Sequence, residues 1–244
     1  VATIAIYSLK GGVGKTTLAV NLGWASATLS ARRTLLWDLD PQAASTFLIG
    51  PPGKVKDRAQ AIFTQDIEPK KLVQHSGVDR LDLIPADTSL RELDHLFHEM
   101  DKKKRLAKLL GQLDKAYDRM LLDCPPGLTD TSEQVMRAAD LIVVPVIPSP
   151  LSTRAFEEVA AHLDRKGGSK VTLMPVHSMV DRRRKLHAEA IAANPDWPVI
   201  PMASIVEAMA ARRKPLGSYA PRSPAAQAFG DLWKAVERTL AKKR

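Results

Sequence analysis

With 244 residues, 45% of them hydrophobic and 26% charged, the chain has the apolar content of an ordinary globular domain, not the composition of a disordered or fibrous protein. The single cysteine, Cys124, excludes an internal disulfide and a cysteine-based metal centre, and predicts a reducing setting in which that thiol is a small buried residue. A formal charge of +9 predicts an anionic partner larger than a nucleotide, either nucleic acid or an anionic membrane.

The chain opens on an apolar, β-branched run, and a strand is predicted over Thr3–Ser8. This opening has no basic region, apolar core and cleavage site of a secretory signal, and no apolar run reaches the roughly 20 residues that cross a bilayer, so a cytoplasmic protein is expected. Next comes "SLKGGVGKTT", Ser8 to Thr17. A phosphate-binding loop of the form G-x-x-x-x-G-K-[ST] would begin with glycine at position 9, where this chain has Leu9 followed by Lys10. The rest of the loop is complete. Backbone N–H groups from Gly11, Gly12, Val13, Gly14, Lys15, Thr16 and Thr17 are predicted to converge on phosphate oxygens at a helix N-terminus. Lys15 would reach the β- and γ-phosphates of ATP, and the Thr16 hydroxyl would ligate Mg²⁺. The helix that follows should run to Leu29, with Leu18, Leu22, Ala25 and Leu29 on one face.

A second strand, Thr34–Asp38, ends in "DLDPQ". Asp38 and Asp40 lie two residues apart and would share a side if the strand continued. Asp40, at the start of the loop, is the candidate for orienting the attacking water, and Asp38 is assigned to the metal set with Thr16 and Asp123. A loop is predicted over Ile49–Asp57 and a strand over Arg80–Ile84. The strand Arg119–Asp123 has the apolar-then-acidic form of a Walker B strand, and Asp123 would act on the metal through water. The "CPPG" beyond it predicts a stiff turn that senses the γ-phosphate. Further strands are predicted over Leu141–Val146, Lys170–Pro175 and Val199–Ile200, then a last helix over Pro224–Lys242 with Phe229, Leu232, Trp233, Val236 and Leu240 as its apolar stripe. This alternation predicts an α/β fold: a mainly parallel twisted sheet flanked by helices on both faces, in a single domain over residues 1–244.

"KGGVGKTT", "DLDPQ" and "LLDCPPG", in that order, resemble the deviant Walker A, A′ and B motifs of the ParA/MinD family of ATPases. "SMVDRRRKL" and "KPLGSYAPRSPAAQAFGDLWKAV" are similar to the C-terminal part of small, Soj-like ParA partition proteins, so the resemblance spans essentially the whole chain. It implies that Lys10 is the signature lysine, crossing the interface of an ATP-sandwich homodimer to the partner's phosphates, much as an arginine finger does. It also implies that a non-glycine at position 9 is tolerated, and that adenine is held near Pro201 and Met202. The iron–sulfur branch of the wider family needs two cysteines per subunit, which this chain does not have.

The same resemblance implies sequence-independent binding to nucleoid DNA in the ATP-bound dimer, and a ParB-like or other adaptor that stimulates hydrolysis. Basic clusters stand at Lys102–Arg105, Arg182–Lys185, Arg212–Lys214 and Lys242–Arg244. Arg182, Arg183, Arg184, Arg212, Arg213 and Lys214 are the candidate DNA contacts, since phosphate contacts add and release counterions. Arg183 matches a DNA-binding arginine of the family, whereas "IPMASIVEAM" is apolar where Soj-like proteins carry arginine. An N-terminal operator-reading domain is not expected, because the phosphate loop begins at residue 10. A MinD-like membrane association would need the last helix as an amphipathic anchor, and its long stripe reads instead as core-facing. A nucleotide-gated scaffold with little turnover is the third reading.

Overall fold

The computed structural model describes residues 1–51, 59–100, 104–165 and 171–242. These residues form one eight-stranded sheet in the order β3-β4-β2-β5-β1-β6-β7-β8. Its strands are β1 (Ala2–Ile6), β2 (Thr34–Asp38), β3 (Gln74–Val78), β4 (Leu81–Ile84), β5 (Arg119–Asp123), β6 (Leu141–Val146), β7 (Thr172–Val180) and β8 (Val199–Pro201). All pairings are parallel except that of β3 with β4. The helices are α1 (Lys15–Leu29), α2 (Ala44–Ile49), α3 (Ala61–Thr64), α4 (Leu93–Met100), α5 (Arg105–Gly111), α6 (Asp130–Ala138), α7 (Pro150–Arg165), α8 (Lys185–Ala193), α9 (Ser204–Arg212) and α10 (Pro224–Ala241).

A parallel sheet covered on both faces needs strands that are apolar at every position. Along β1, Ile4 and Ile6 enter one core with Leu18 and Leu22 of α1 and Trp233 of α10, while Ala5 and Tyr7 just beyond the strand enter the other. The two-residue period repeats on β2, where Leu36 faces the first core and Leu35 and Trp37 the second, which also receives Phe63, Leu109 and Val135. The α10 stripe of Phe229, Leu232, Trp233, Val236 and Leu240 is buried, as its spacing predicts. Leu29, expected on the buried face of α1, is 53% exposed in that helix's last turn.

Three strand predictions change. β1 begins and ends earlier, because Tyr7 and Ser8 already lead into the phosphate loop. β3 was not foreseen: its "QHSGV" is polar and buries neither face deeply, as suits an edge strand. β7 runs five residues past Pro175. Proline is accommodated there because β8 pairs with β7 only from His177 onward, so no hydrogen bond is lost on that side. Of the predicted Ile49–Asp57 loop, residues 52–57 lie outside the described residues, as does Lys170 at the predicted start of β7; Ile49 closes α2.

At the N-terminal end of β5, Arg119 is 5% exposed and makes a bidentate pair with Glu237 of α10, at 2.7 and 2.9 Å. This clamp fixes α10 against the end of the sheet opposite the phosphate loop.

Candidate functional site

The site lies at the carboxyl ends of β1, β2, β5 and β7, where an open parallel sheet presents its loops. β1 feeds the glycine loop directly into α1. Gly14 caps that helix with φ +92°, and a β-carbon there would stand 3.2 Å from Ser178 Oγ on β7, so only glycine combines this turn with this approach. Ser178 Oγ in turn donates to the Val13 carbonyl at 2.8 Å, pinning the loop to β7. Lys15 is buried, and its Nζ donates to the Lys10 carbonyl at 3.0 Å. Burial pulls the Lys15 ammonium below its ordinary pKa, against the opposing pull of Asp123 and Asp40.

A cleft of ≈ 560 Å³ opens over this loop, walled by Gly12, Lys15 and Thr16 on one side and by Asp40, Pro125 and Pro126 on the other. Gly11, Gly14 and Thr17 also border it, while Lys10, half-buried, stands outside the lining. The "CPPG" turn is held by the phosphate-loop strand: Gly127 N donates to the Leu9 carbonyl at 3.1 Å, and Tyr7 Oη donates to the Gly127 carbonyl at 2.9 Å. Leu9 thus serves through its backbone, while its side chain packs on the second core. Cys124 is buried beneath, its thiol pushed well above the ordinary value by burial.

Asp38 and Asp123 are register partners on adjacent strands, and both are fully buried. Burial raises both carboxyls above the usual carboxylate range, and for Asp38 the charge of Asp123 adds to it. Their surroundings differ. Asp38 Oδ2 accepts from Thr46 N at 2.9 Å and Thr46 Oγ1 at 2.8 Å, and Asp38 Oδ1 accepts from Asp40 N at 3.1 Å. Asp123 Oδ2 accepts from Ser45 Oγ at 2.7 Å, whereas Asp123 Oδ1 is buried with no well-formed hydrogen bond, the Thr16 hydroxyl standing near enough to oppose, with Ser45, the upward shift of the carboxyl. Asp38, expected in the metal set, therefore spends both oxygens on holding the loop and α2. A buried carboxylate oxygen with no well-formed hydrogen bond, in reach of the Thr16 hydroxyl, fits a divalent cation. Mg²⁺ is usually held by one or two carboxylates together with nucleotide phosphates, and Thr16 with Asp123 offers a set of that kind. Asp40 lines the cleft with Oδ1 accepting from Gln42 N at 2.9 Å, a local turn that fixes its carboxylate.

A second, smaller cleft of ≈ 90 Å³ shares Gly14, Thr17 and Met179 with the first. Pro201 and Met202, the residues expected near adenine, line it together with Ile200, Phe229 and Glu207 of α9. Its apolar slot continues from the phosphate cleft, as a nucleotide base would require. Ser45, Ser178, Met179 and Tyr7 escaped sequence reasoning. Met179 takes the left-handed φ of 53° that turns β7 toward the loop, and nothing in a methionine codon position signals that.

The basic residues divide. Arg182, Arg184, Arg212 and Lys214 are exposed, with Arg212 lying 4.9 Å over the Tyr219 ring. Arg183 is exposed but forms a two-point pair with Asp181 at 2.9 Å, which draws the Asp181 carboxyl down to about 2. Arg213 donates to the carbonyls of Phe47 and Gly50, at 2.8 and 3.2 Å, and covers the Phe47 ring. Each therefore has two of its three guanidinium nitrogens engaged within the chain, where free side chains were expected. Arg105 is buried and donates to the Phe63 and Ile62 carbonyls, so it leaves the predicted basic cluster, whose Lys102 and Lys103 lie outside the described residues, as do Lys243 and Arg244.

The strand, glycine loop and helix, with Lys15 and Thr16 facing a Walker B aspartate, define a P-loop nucleotide-binding α/β protein. A family model described as an AAA domain matches residues 1–167. The sporulation initiation inhibitor protein Soj of Bacillus subtilis (strain 168) is 30% identical over 249 residues, covering 96% of this chain and 97% of Soj. A virulence plasmid ParA family protein of Chlamydia psittaci is 29% identical over 187 residues, covering 76% of this chain and 72% of that protein. The septum site-determining protein MinD from Pyrococcus horikoshii OT3, solved with Mg-ADP, superposes with a TM-score of 0.80 at 22% identity, covering 100% of this chain and 98% of that one. The chain belongs to the ParA family of P-loop ATPases.

Proposed function

We propose that this chain forms one ParA-type ATPase domain over residues 1–244, which assembles as an ATP-sandwich homodimer, binds nucleoid DNA without sequence preference and positions a cargo through adaptor-stimulated hydrolysis. The observation that carries the reading is the phosphate cleft itself, with buried Lys15 on one wall and Asp40 on the other, and the fully buried Asp123 carboxyl within reach of the Thr16 hydroxyl. Backbone N–H groups of Gly11 to Thr17 bind the phosphates, and Lys15 offsets their charge in a site shielded from water. Mg²⁺, held by Thr16 and Asp123, supplies further charge neutralisation when bound. Asp40 orients water toward the γ-phosphate, giving ADP and inorganic phosphate. Pro201 and Met202 hold the adenine. Lys10, outside the lining of its own cleft, is left to serve the partner subunit's nucleotide.

Arg182, Arg184, Arg212 and Lys214 supply the exposed positive charge for DNA in a cytoplasmic, nucleoid-associated protein. A membrane anchor on α10 is disfavoured because its apolar stripe is already consumed by the core. Among the described residues no helix is long and apolar enough to cross a membrane.

Co-sedimentation with DNA and with anionic liposomes, in ATP, ADP or no nucleotide, tests the reading. ATP-dependent pelleting with DNA is expected, lost in Lys15→Ala along with nucleotide binding. Pelleting with liposomes alone would replace it with a MinD-like function, and pelleting with neither would leave a nucleotide-gated scaffold.

A further inference from the structure

Adjacent hydroxyls in the first turn of α2 meet the two paired strand-end carboxylates. Thr46 donates twice to Asp38 Oδ2, and the same Thr46 Oγ1 accepts from Ala86 N at 2.8 Å beyond β4. Ser45, with no exposed surface, donates to Asp123 Oδ2 at 2.7 Å. Asp38 and Asp123 are aligned in register, yet this one turn leaves them in different states. Both oxygens of Asp38 are engaged, while Asp123 has Oδ2 held by Ser45 and Oδ1 buried with no well-formed hydrogen bond, in reach of the Thr16 hydroxyl.

We propose that Ser45 is a positioning residue for the metal site, fixing the Asp123 carboxylate through Oδ2 so that Oδ1 alone is presented toward Thr16 and the cation. The proposal rests on the nucleotide reading above. A carboxylate bound at one oxygen by a rigid hydroxyl cannot rotate about its Cβ–Cγ bond without breaking that bond, so its other oxygen has a defined direction. Outer partners of this kind orient metal-binding groups and tune metal affinity. Ser45 is well suited to the task because α2 starts immediately after the loop that carries Asp40. Ala43, at φ 53°, turns the chain, and Ala43 N donates to the Asp40 carbonyl at 2.8 Å. The group that orients water and the carboxylate that meets the cation are thereby set by one short turn. Without Ser45, Asp123 would keep its place on β5 and the Thr16 hydroxyl nearby but lose the bond that fixes Oδ2.

The test is Ser45→Ala, which removes one buried oxygen atom and adds no bulk. Equilibrium binding of a fluorescent ADP is measured at increasing Mg²⁺ and, separately, in EDTA. The Mg²⁺ concentration at half-effect is expected to rise on the order of tenfold, the lower end for loss of an outer metal partner, with the affinity in EDTA unchanged. An unchanged Mg²⁺ midpoint would overturn the assignment. So would an equal loss of affinity with and without Mg²⁺, since that marks a merely structural role. If the wild-type protein itself shows no Mg²⁺-dependent nucleotide binding, the nucleotide reading fails instead of the Ser45 assignment.

Discussion

His177 is a buried titratable side chain that the nucleotide site does not use. It is 1% exposed on β7, its Nε2 meets the Asn194 carbonyl at 3.1 Å, and its ring lies 5.0 Å from Trp197. A carbonyl partner requires Nε2 to carry the proton, so Nδ1, buried without a partner, has the acceptor's lone pair and the ring is neutral. Burial lowers its pKa below the ordinary 6.5, against the weaker opposing effect of the Asn194 bond. The unfolded chain then takes up a proton on acidification before the native state does. Stability from this residue is complete above about pH 6.5 and is lost as the pH falls from there through the depressed native value. His177→Phe keeps an aromatic ring beside Trp197 and cannot titrate. Thermal melting at pH 7.5 and 5.5 should show a smaller acid-induced fall in Tm for that variant than for the wild type, even if its Tm at pH 7.5 is lower.

Among the elements, α10 shows how packing and a single ion pair divide the work. Its stripe fills the first core, and the Arg119–Glu237 pair sets its register against β5. Glu237→Ala would strand a guanidinium whose side chain is only 6% exposed. Removing one partner of a buried pair costs about 3–5 kcal/mol, and the low end applies because Glu237 retains 22% exposure. A Tm lowered by about 6–12 °C follows for a chain of this size, with nucleotide affinity intact because Arg119 opens β5 and Asp123 closes it. The α10 stripe, the loop glycines and the central strands β2, β5 and β6 were legible in the sequence, because each depends on a period or motif contained in one segment. β3 was not, since an edge strand needs no continuous apolar run. Nor were Ser45 and Ser178 legible as parts of the site: each acts on a residue 78 or 165 positions away in the chain, a relation that only the topology creates. Arg183 stood out in sequence only by its family match and Arg213 not at all, and the partners that engage them come from a turn in one case and from α2 in the other.

At the scale of the whole molecule, the charge of +9 becomes useful for DNA only where it is free to meet phosphates. The described cations are unequal in this respect. Arg32 and Arg119 meet Glu237, Arg33 meets Asp118, Arg183 meets Asp181 and Arg213 caps carbonyls. Arg182 and Arg184 flank Arg183 on the loop that leaves β7 just after Ser178, which bonds the phosphate loop, and Met179, which lines both clefts. Nucleotide-dependent movement of the glycine loop would therefore reach these arginines through a rigid strand end and a few residues. Arg182→Ala/Arg184→Ala should leave nucleotide binding unchanged and weaken ATP-dependent DNA binding equally for unrelated sequences. If both arginines contact phosphates, the slope of log K against log salt becomes shallower by about 1.8, roughly 0.9 for each contact removed. Arg213→Ala is the informative contrast: its guanidinium holds α2 to the end of α9, so it should lower Tm while leaving that slope in place. A double variant with the wild-type slope would mean that DNA meets another surface, and a shallower slope in Arg213→Ala would mean that its carbonyl contacts are released when DNA binds.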